Sequence, residues 1–142
     1  MTAANPFAAP QAQVDDPPSD IDSLNISERW KNKFRLMRKA GAPDFANLKN
    51  LPPAERRRAS FGFNVLAFLF GPFYYVAKGM WRKGLTLFVA CFAATLVVEL
   101  VLTLLGFQRI GRFLSYGVAA VFAVRANIDY YKKMVLGDNG WW

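Results

Sequence analysis

The sequence predicts an all-α membrane protein: two transmembrane helices in a hairpin plus one Gly-Pro-broken re-entrant or interfacial segment. A basic amphipathic helix and a disordered N-terminal tail precede them. Three observations predict this class. The 142 residues are 54% hydrophobic and 15% aromatic, yet 17 of the 28 charges fall in residues 1–60. The 23-residue run 85–107 carries a single charge, Glu99. At ~1.5 Å per residue that run is roughly 34 Å long, enough to cross a bilayer core.

Residues 1–26 (MTAANPFAAPQAQVDDPPSDIDSLNI) mix Pro, Ala, Asp and Ser with few large apolar groups, and so predict a disordered tail. The tail lacks the basic n-region and continuous apolar h-region of a secretory signal, so it is expected to stay attached. Residues 27–60 form a basic cytoplasmic segment. Ser27 is placed to cap a helix, Glu28 sits in its first turn, and Gly41 with Pro43 supplies a stop. Trp30, Phe34 and Met37 share one face, and Lys31, Lys33, Arg35, Arg38 and Lys39 occupy the rest. Two readings stand for that face. It meets an anionic leaflet surface, or it packs on the rest of the protein. Arg56, Arg57 and Arg58 precede the first apolar stretch, where a basic cluster acts as a topology signal rather than a nucleic-acid site. Trp30, Phe34 and the three arginines are thus the candidate membrane-surface residues.

The membrane domain is 61–142, with 61–77 re-entrant or interfacial and 85–107 and 110–128 transmembrane. Gly71 and Pro72 interrupt the first stretch, because Pro72 breaks the helical ladder and each half is too short to cross alone. Charge counting favours this arrangement. The 18 basic residues divide as 10 in 1–60, 3 in 78–84, 2 in 108–112 and 3 in 125–142. If 61–77 does not cross, 16 lie inside and 2 outside; if it crosses, 12 lie inside and 6 outside. The positive-inside rule selects the former, with both termini cytoplasmic. Tyr74, Tyr75, Trp81, Tyr130, Tyr131, Trp141 and Trp142 would then form one interfacial aromatic belt.

FNVLAFLFGPFYYVAKGMWRKGL, followed by an apolar span and RANIDYYKKMVLGDNGWW, resembles domain-of-unknown-function family 2628, small bacterial inner-membrane proteins. The motifs are Phe63-Asn64, Ala67-Phe68, Phe70-Gly71-Pro72-Phe73, Gly79-Met80-Trp81, and Ala126-Asn127 with Tyr130-Tyr131. Together with ISERWKNKF the resemblance covers roughly 27–142. It implies location in the bacterial inner membrane. It implies no activity and no catalytic residues.

The chain has no His and one Cys, Cys91, which excludes His-based triads, His-ligated zinc or haem, and an intrachain disulfide. No Gly-rich phosphate loop, spaced carboxylate pair or nucleophile–base arrangement is visible. The expectation is therefore a non-enzymatic protein with no catalytic, metal or cofactor residues. Glu99 has three readings: an ion pair with Arg125, a lipid-facing carboxylate, or a proton- or cation-handling group. Gly111, Ser115, Ala119 and Ala123 recur at i+4, as do Ala90 and Ala94, and predict close helix packing within the hairpin or between copies. Asn127 follows the first series. Asn64, Tyr74, Tyr75, Asp129 and Tyr130 either line a polar site at the cytoplasmic interface or satisfy the broken backbone near Gly71. The expected partners are anionic lipid headgroups, with a second copy or another membrane protein. The function expected is a membrane-anchored interaction or scaffold module; the alternative is a small oligomeric transporter or channel subunit using Glu99.

Overall fold

The structure is a computed structural model that describes residues 21–60, 62–107, 111 and 113–142, leaving out the Ser60 side chain. Among the described residues it is entirely helical. The α-helices are α1 (Glu28–Lys39), α2 (Pro53–Ser60), α3 (Val65–Phe70), α4 (Pro72–Ala77), α5 (Trp81–Leu104) and α6 (Leu114–Val135). Two short 3₁₀ turns, Ile21–Ser23 and Leu48–Asn50, precede α1 and α2.

Local chemistry sets the boundaries. Asn64 caps α3 by accepting from the Ala67 N–H at 3.0 Å. Gly71 then takes φ +48°, a conformation that L side chains rarely adopt, and Pro72 opens α4 at a position where no N–H is needed. The chain therefore reverses between two helices of six residues each, with α3 packed on α6 and α4 on α5. The close approach of α4 and α5 depends on Gly84, where an added Cβ would lie 2.6 Å from the Tyr75 Cβ. Helix α5 ends in a Schellman motif: the Phe107 N–H bonds the Leu102 carbonyl and Gly106, at φ +81°, bonds Thr103.

Helix α5 is the one described helix long and apolar enough to cross a membrane, and only 6% of its most apolar stretch is buried within the protein. A core helix of a water-soluble fold would be mostly covered. Phe88, Val89, Phe92, Leu96, Val97, Leu100 and Leu104 are exposed along it, continuous in character with Leu66, Leu69, Phe70, Phe73 and Val76 on α3 and α4. An apolar surface of this extent suits contact with a nonpolar phase rather than water. The core sits at the other end, where Phe34 and Met37 of α1 pack with Tyr74, Tyr75, Met80, Phe122, Ala126, Tyr130 and Tyr131.

That core corrects several expectations. Of the two readings of the α1 face, packing is the one observed. Phe34 is fully buried against Tyr130 and Tyr131, so it is no membrane-surface residue, and Trp30 is half-buried with its ring 4.8 Å from that of Tyr130. The aromatic belt is correspondingly smaller: the four tyrosines are buried, and Trp81, Trp141 and Trp142 alone remain exposed. The disordered tail does not extend to residue 26, because Ile21 is buried in the core and Leu24 and Ile26 pack on it; residues 1–20 lie outside the described set. The small-residue stripe does not join the hairpin tightly. Ala90 and Ala94 are exposed, Ala123 is buried, and its carbonyl accepts from the Asn64 N–H at 3.0 Å. The α3 N-terminus therefore sits against this part of α6. Arg56, Arg57 and Arg58 are exposed on α2.

Candidate functional site

The reversal at Gly71 brings the N-terminus of α3 and the first turn of α4 against the middle of α6. Asn64 is the hub of what results. Its amide nitrogen donates to the Tyr74 hydroxyl at 2.8 Å and to the Asn127 side-chain oxygen at 3.1 Å, while its oxygen caps α3. Asn127, almost fully buried, donates in turn to the Gly62 carbonyl. Three segments are thereby joined through side-chain amides whose hydrogen-bonding capacity is nearly filled.

A second cluster flanks Asn127 on α6, built from Arg125 two residues before it and Asp129 two residues after it. The Tyr75 hydroxyl donates to Asp129 at 2.9 Å, and the Arg125 guanidinium approaches the same carboxylate oxygen at 3.5 Å. Arg125 also lies over the Trp142 ring at 4.1 Å. The other Asp129 oxygen is buried without a hydrogen-bond partner. Asp129 lies one residue past the predicted span. Burial raises its carboxyl above the ordinary value, and the Tyr75 hydrogen bond and Arg125 charge oppose that rise. Nearby, the buried Lys83 ammonium pairs with Asp138 at 3.1 Å. The Gly140 N–H and then Lys83 hold the Asp138 carboxyl below its usual value.

Beside the Asn64 network opens a cavity of about 360 Å³. Arg29, Trp30 and Lys33 from α1, Asn64 and Tyr74, Lys78 after α4, and Asn127 form its polar wall. Lys33 and Lys78 lie over the Trp30 ring at 5.1 and 5.6 Å, and Lys78 also covers Tyr130 at 4.8 Å. Burial lowers the Lys33 pKa from its ordinary value. Phe63, Val65 and Leu66 line the opposite wall, and all three are exposed. Among the described residues that line the cavity, three are cationic and none is a carboxylate.

The structure thus unites Asn64, Asn127 and Tyr74, and separately Tyr75, Asp129 and Arg125. Tyr130 joins the aromatic packing rather than either network. Trp81 is exposed at the far edge, its ring 5.6 Å from Trp141, with Arg82 over both. Gly71 and Pro72 act through backbone geometry. The Glu99–Arg125 pair is not formed. Arg125 is engaged four residues along its own helix, and Glu99 is exposed on a groove of about 440 Å³ between α5 and α6, with Thr95, Gly111, Leu114 and Ser115. Arg29, Lys33 and Lys78 were not candidates from sequence. The one local signal was the i, i+4 spacing of Arg29 and Lys33 on either side of Trp30, because Lys78 joins them only through the fold.

Among the described residues, fold and site define a small all-helical protein with one helix fit to cross a membrane and a basic, aromatic-lined cavity at the end where α1 packs. Residues 15–135 match the model of the family described as protein of unknown function DUF2628, and the chain belongs to that family. It is 29% identical to the uncharacterized protein YigF of Salmonella typhimurium strain LT2 over 129 residues, covering 85% of this chain and 94% of that protein. The Escherichia coli K12 YigF is 29% identical over 125 residues, covering 82% and 91%. No solved structure matches.

Proposed function

We propose that the chain is a non-enzymatic interaction or scaffold module of the bacterial inner membrane, with α5 and α6 crossing as a hairpin and both termini cytoplasmic. The α3–α4 hairpin dips into the cytoplasmic leaflet and returns. The observation that carries this reading is the division of the surface. Exposed apolar side chains run along α5 and across α3 and α4, while α1 and α2 carry 9 of the 18 Lys and Arg residues. Six-residue helices reach only about 9 Å each, so α3 and α4 cannot cross. The bacterial relatives and the 16-to-2 division of basic residues support the same orientation.

The test is extraction and protection. The chain should stay in the membrane pellet through alkaline carbonate, and tags at both termini should resist protease added to spheroplasts. Release by carbonate, or digestion of one tag alone from outside, would contradict the reading. A second reading, a proton- or cation-conducting oligomer, is favoured by Glu99, which lines the α5–α6 groove without an ion-pair partner among the described residues. Flux in proteoliposomes that is lost in Glu99→Gln would support it.

A further inference from the structure

We propose that the cavity bounded by α1, the start of α3 and Lys78 is a stoichiometric binding site for one anionic phospholipid. The phosphate is held by Arg29, Lys33 and Lys78, and an acyl chain leaves over Val65 and Leu66. This rests on the membrane reading of α3.

Charge is the first argument. Three cations line one cavity, and among the described residues none of them is ion-paired to a carboxylate. Lys33 and Lys78 each lie over the Trp30 ring, 5.1 and 5.6 Å from its centroid, so two like charges are held against one indole in the cavity wall. An anion in that cavity relieves their mutual repulsion. The cation–π contacts position both ammonium groups without consuming their hydrogens, which remain available to phosphate oxygens.

Donor geometry is the second. The Tyr74 oxygen accepts from Asn64, which leaves the Tyr74 hydroxyl hydrogen to donate. One Asn127 amide hydrogen goes to Gly62 and leaves the second. The site therefore offers neutral donors alongside three charges, the combination that charge-assisted phosphate binding uses.

The shape of the rim selects the lipid. Phe63, Val65 and Leu66 form the cavity's apolar side, and beyond them Leu69 and Phe70 extend the exposed apolar surface of α3. A free phosphate would use the cations and leave this wall uncovered; a neutral lipid would do the reverse. A phospholipid with net negative charge satisfies both, and about 360 Å³ falls in the range of small-ligand pockets.

The experiment is native mass spectrometry of the full chain in neutral detergent, titrated separately with phosphatidylglycerol, phosphatidylcholine and sn-glycerol 3-phosphate. The expected result is a one-to-one phosphatidylglycerol adduct that forms at lower lipid concentration than any phosphatidylcholine adduct, with negligible glycerol phosphate binding. Lys33→Gln and Lys78→Gln should each weaken it about fivefold, the effect of one basic residue beside an anionic surface. Removing three exposed charges in Arg56→Gln/Arg57→Gln/Arg58→Gln should change it less than twofold. Equal affinity for the two lipids would overturn the site, as would equal loss in the arginine variant, the mark of diffuse attraction. Glycerol phosphate binding as tight as phosphatidylglycerol would reassign the cavity to a soluble anion. A carbonate-resistant protein lacking lipid preference refutes the site alone. A carbonate-extractable one refutes the membrane reading with it.

Discussion

Replacing Asn64 with Ala removes three interactions at once, and the structure allows each to be sized. The cap on α3 is worth about 1 kcal/mol. The Asn127 oxygen, in an almost fully buried side chain, loses its donor, and the buried Tyr74 hydroxyl loses one as well. Leaving a buried polar group unsatisfied costs roughly 1–3 kcal/mol. Tyr74 keeps its own hydrogen, so its share is small, and the total is about 2–4 kcal/mol. Asn64→Ser retains an acceptor for the Ala67 N–H but is too short to reach Tyr74 and Asn127, so it should recover only about 1 kcal/mol. Equilibrium unfolding in mixed micelles measures both variants. Because Asn64→Ala and Asn127→Ala delete opposite ends of one bond, their double mutant should be less destabilised than the sum, with coupling of roughly 0.5–3 kcal/mol. Additive effects, or a neutral Asn64→Ala, would refute the idea that this amide joins α3, α4 and α6.

Further outcomes follow from the same contacts. Asp138→Asn leaves the Lys83 ammonium buried without its carboxylate; because Asp138 is half-exposed, the loss should be about 1–2 kcal/mol rather than that of a fully buried pair. The native Asp138 carboxyl is depressed, so its contribution is present above the ordinary aspartate range and is lost as pH falls through the native value. The acid limb of the stability curve should therefore flatten in Asp138→Asn. Arg125→Gln should destabilise in a manner coupled to Asp129→Asn and additive with Glu99→Gln, which thermal unfolding of the single variants and the two double mutants would check. Gly71→Leu with Pro72→Leu should make the 17-residue apolar stretch 61–77 one continuous helix long enough to cross, so that a C-terminal topology reporter becomes mixed or inverted; an unchanged reporter would mean that the break does not set topology.

The parts of the fold carried by local chemistry were legible. Ser27 and Gly41 bracket α1, Gly71-Pro72 splits α3 from α4, and the 85–107 run marks α5, although the helix begins four residues earlier at Trp81. Pairings across the chain were not. A face of Trp30, Phe34 and Met37 looks the same in sequence whether it meets lipid or protein. What decides between them is Tyr130 and Tyr131, about a hundred residues away. Arg125 shows a different failure. An ion pair with Glu99 would require the hairpin to bring two helices into register, whereas Asp129, the i+4 neighbour of Arg125, needs no hairpin geometry to be reached. The cavity was legible only in fragments, since Arg29 and Lys33 acquire meaning once Lys78 is folded onto the same indole.

Site-directed accessibility tests the membrane arrangement most directly. In a Cys91→Ala background, single cysteines are placed at exposed positions as Ala77→Cys, Phe107→Cys and Asn139→Cys, and cells with a permeabilised outer membrane are treated with a membrane-impermeant maleimide. The account predicts labelling of Phe107→Cys alone, with the other two reacting only after the inner membrane is disrupted. Labelling of Asn139→Cys in intact cells, or protection of Phe107→Cys, would contradict it.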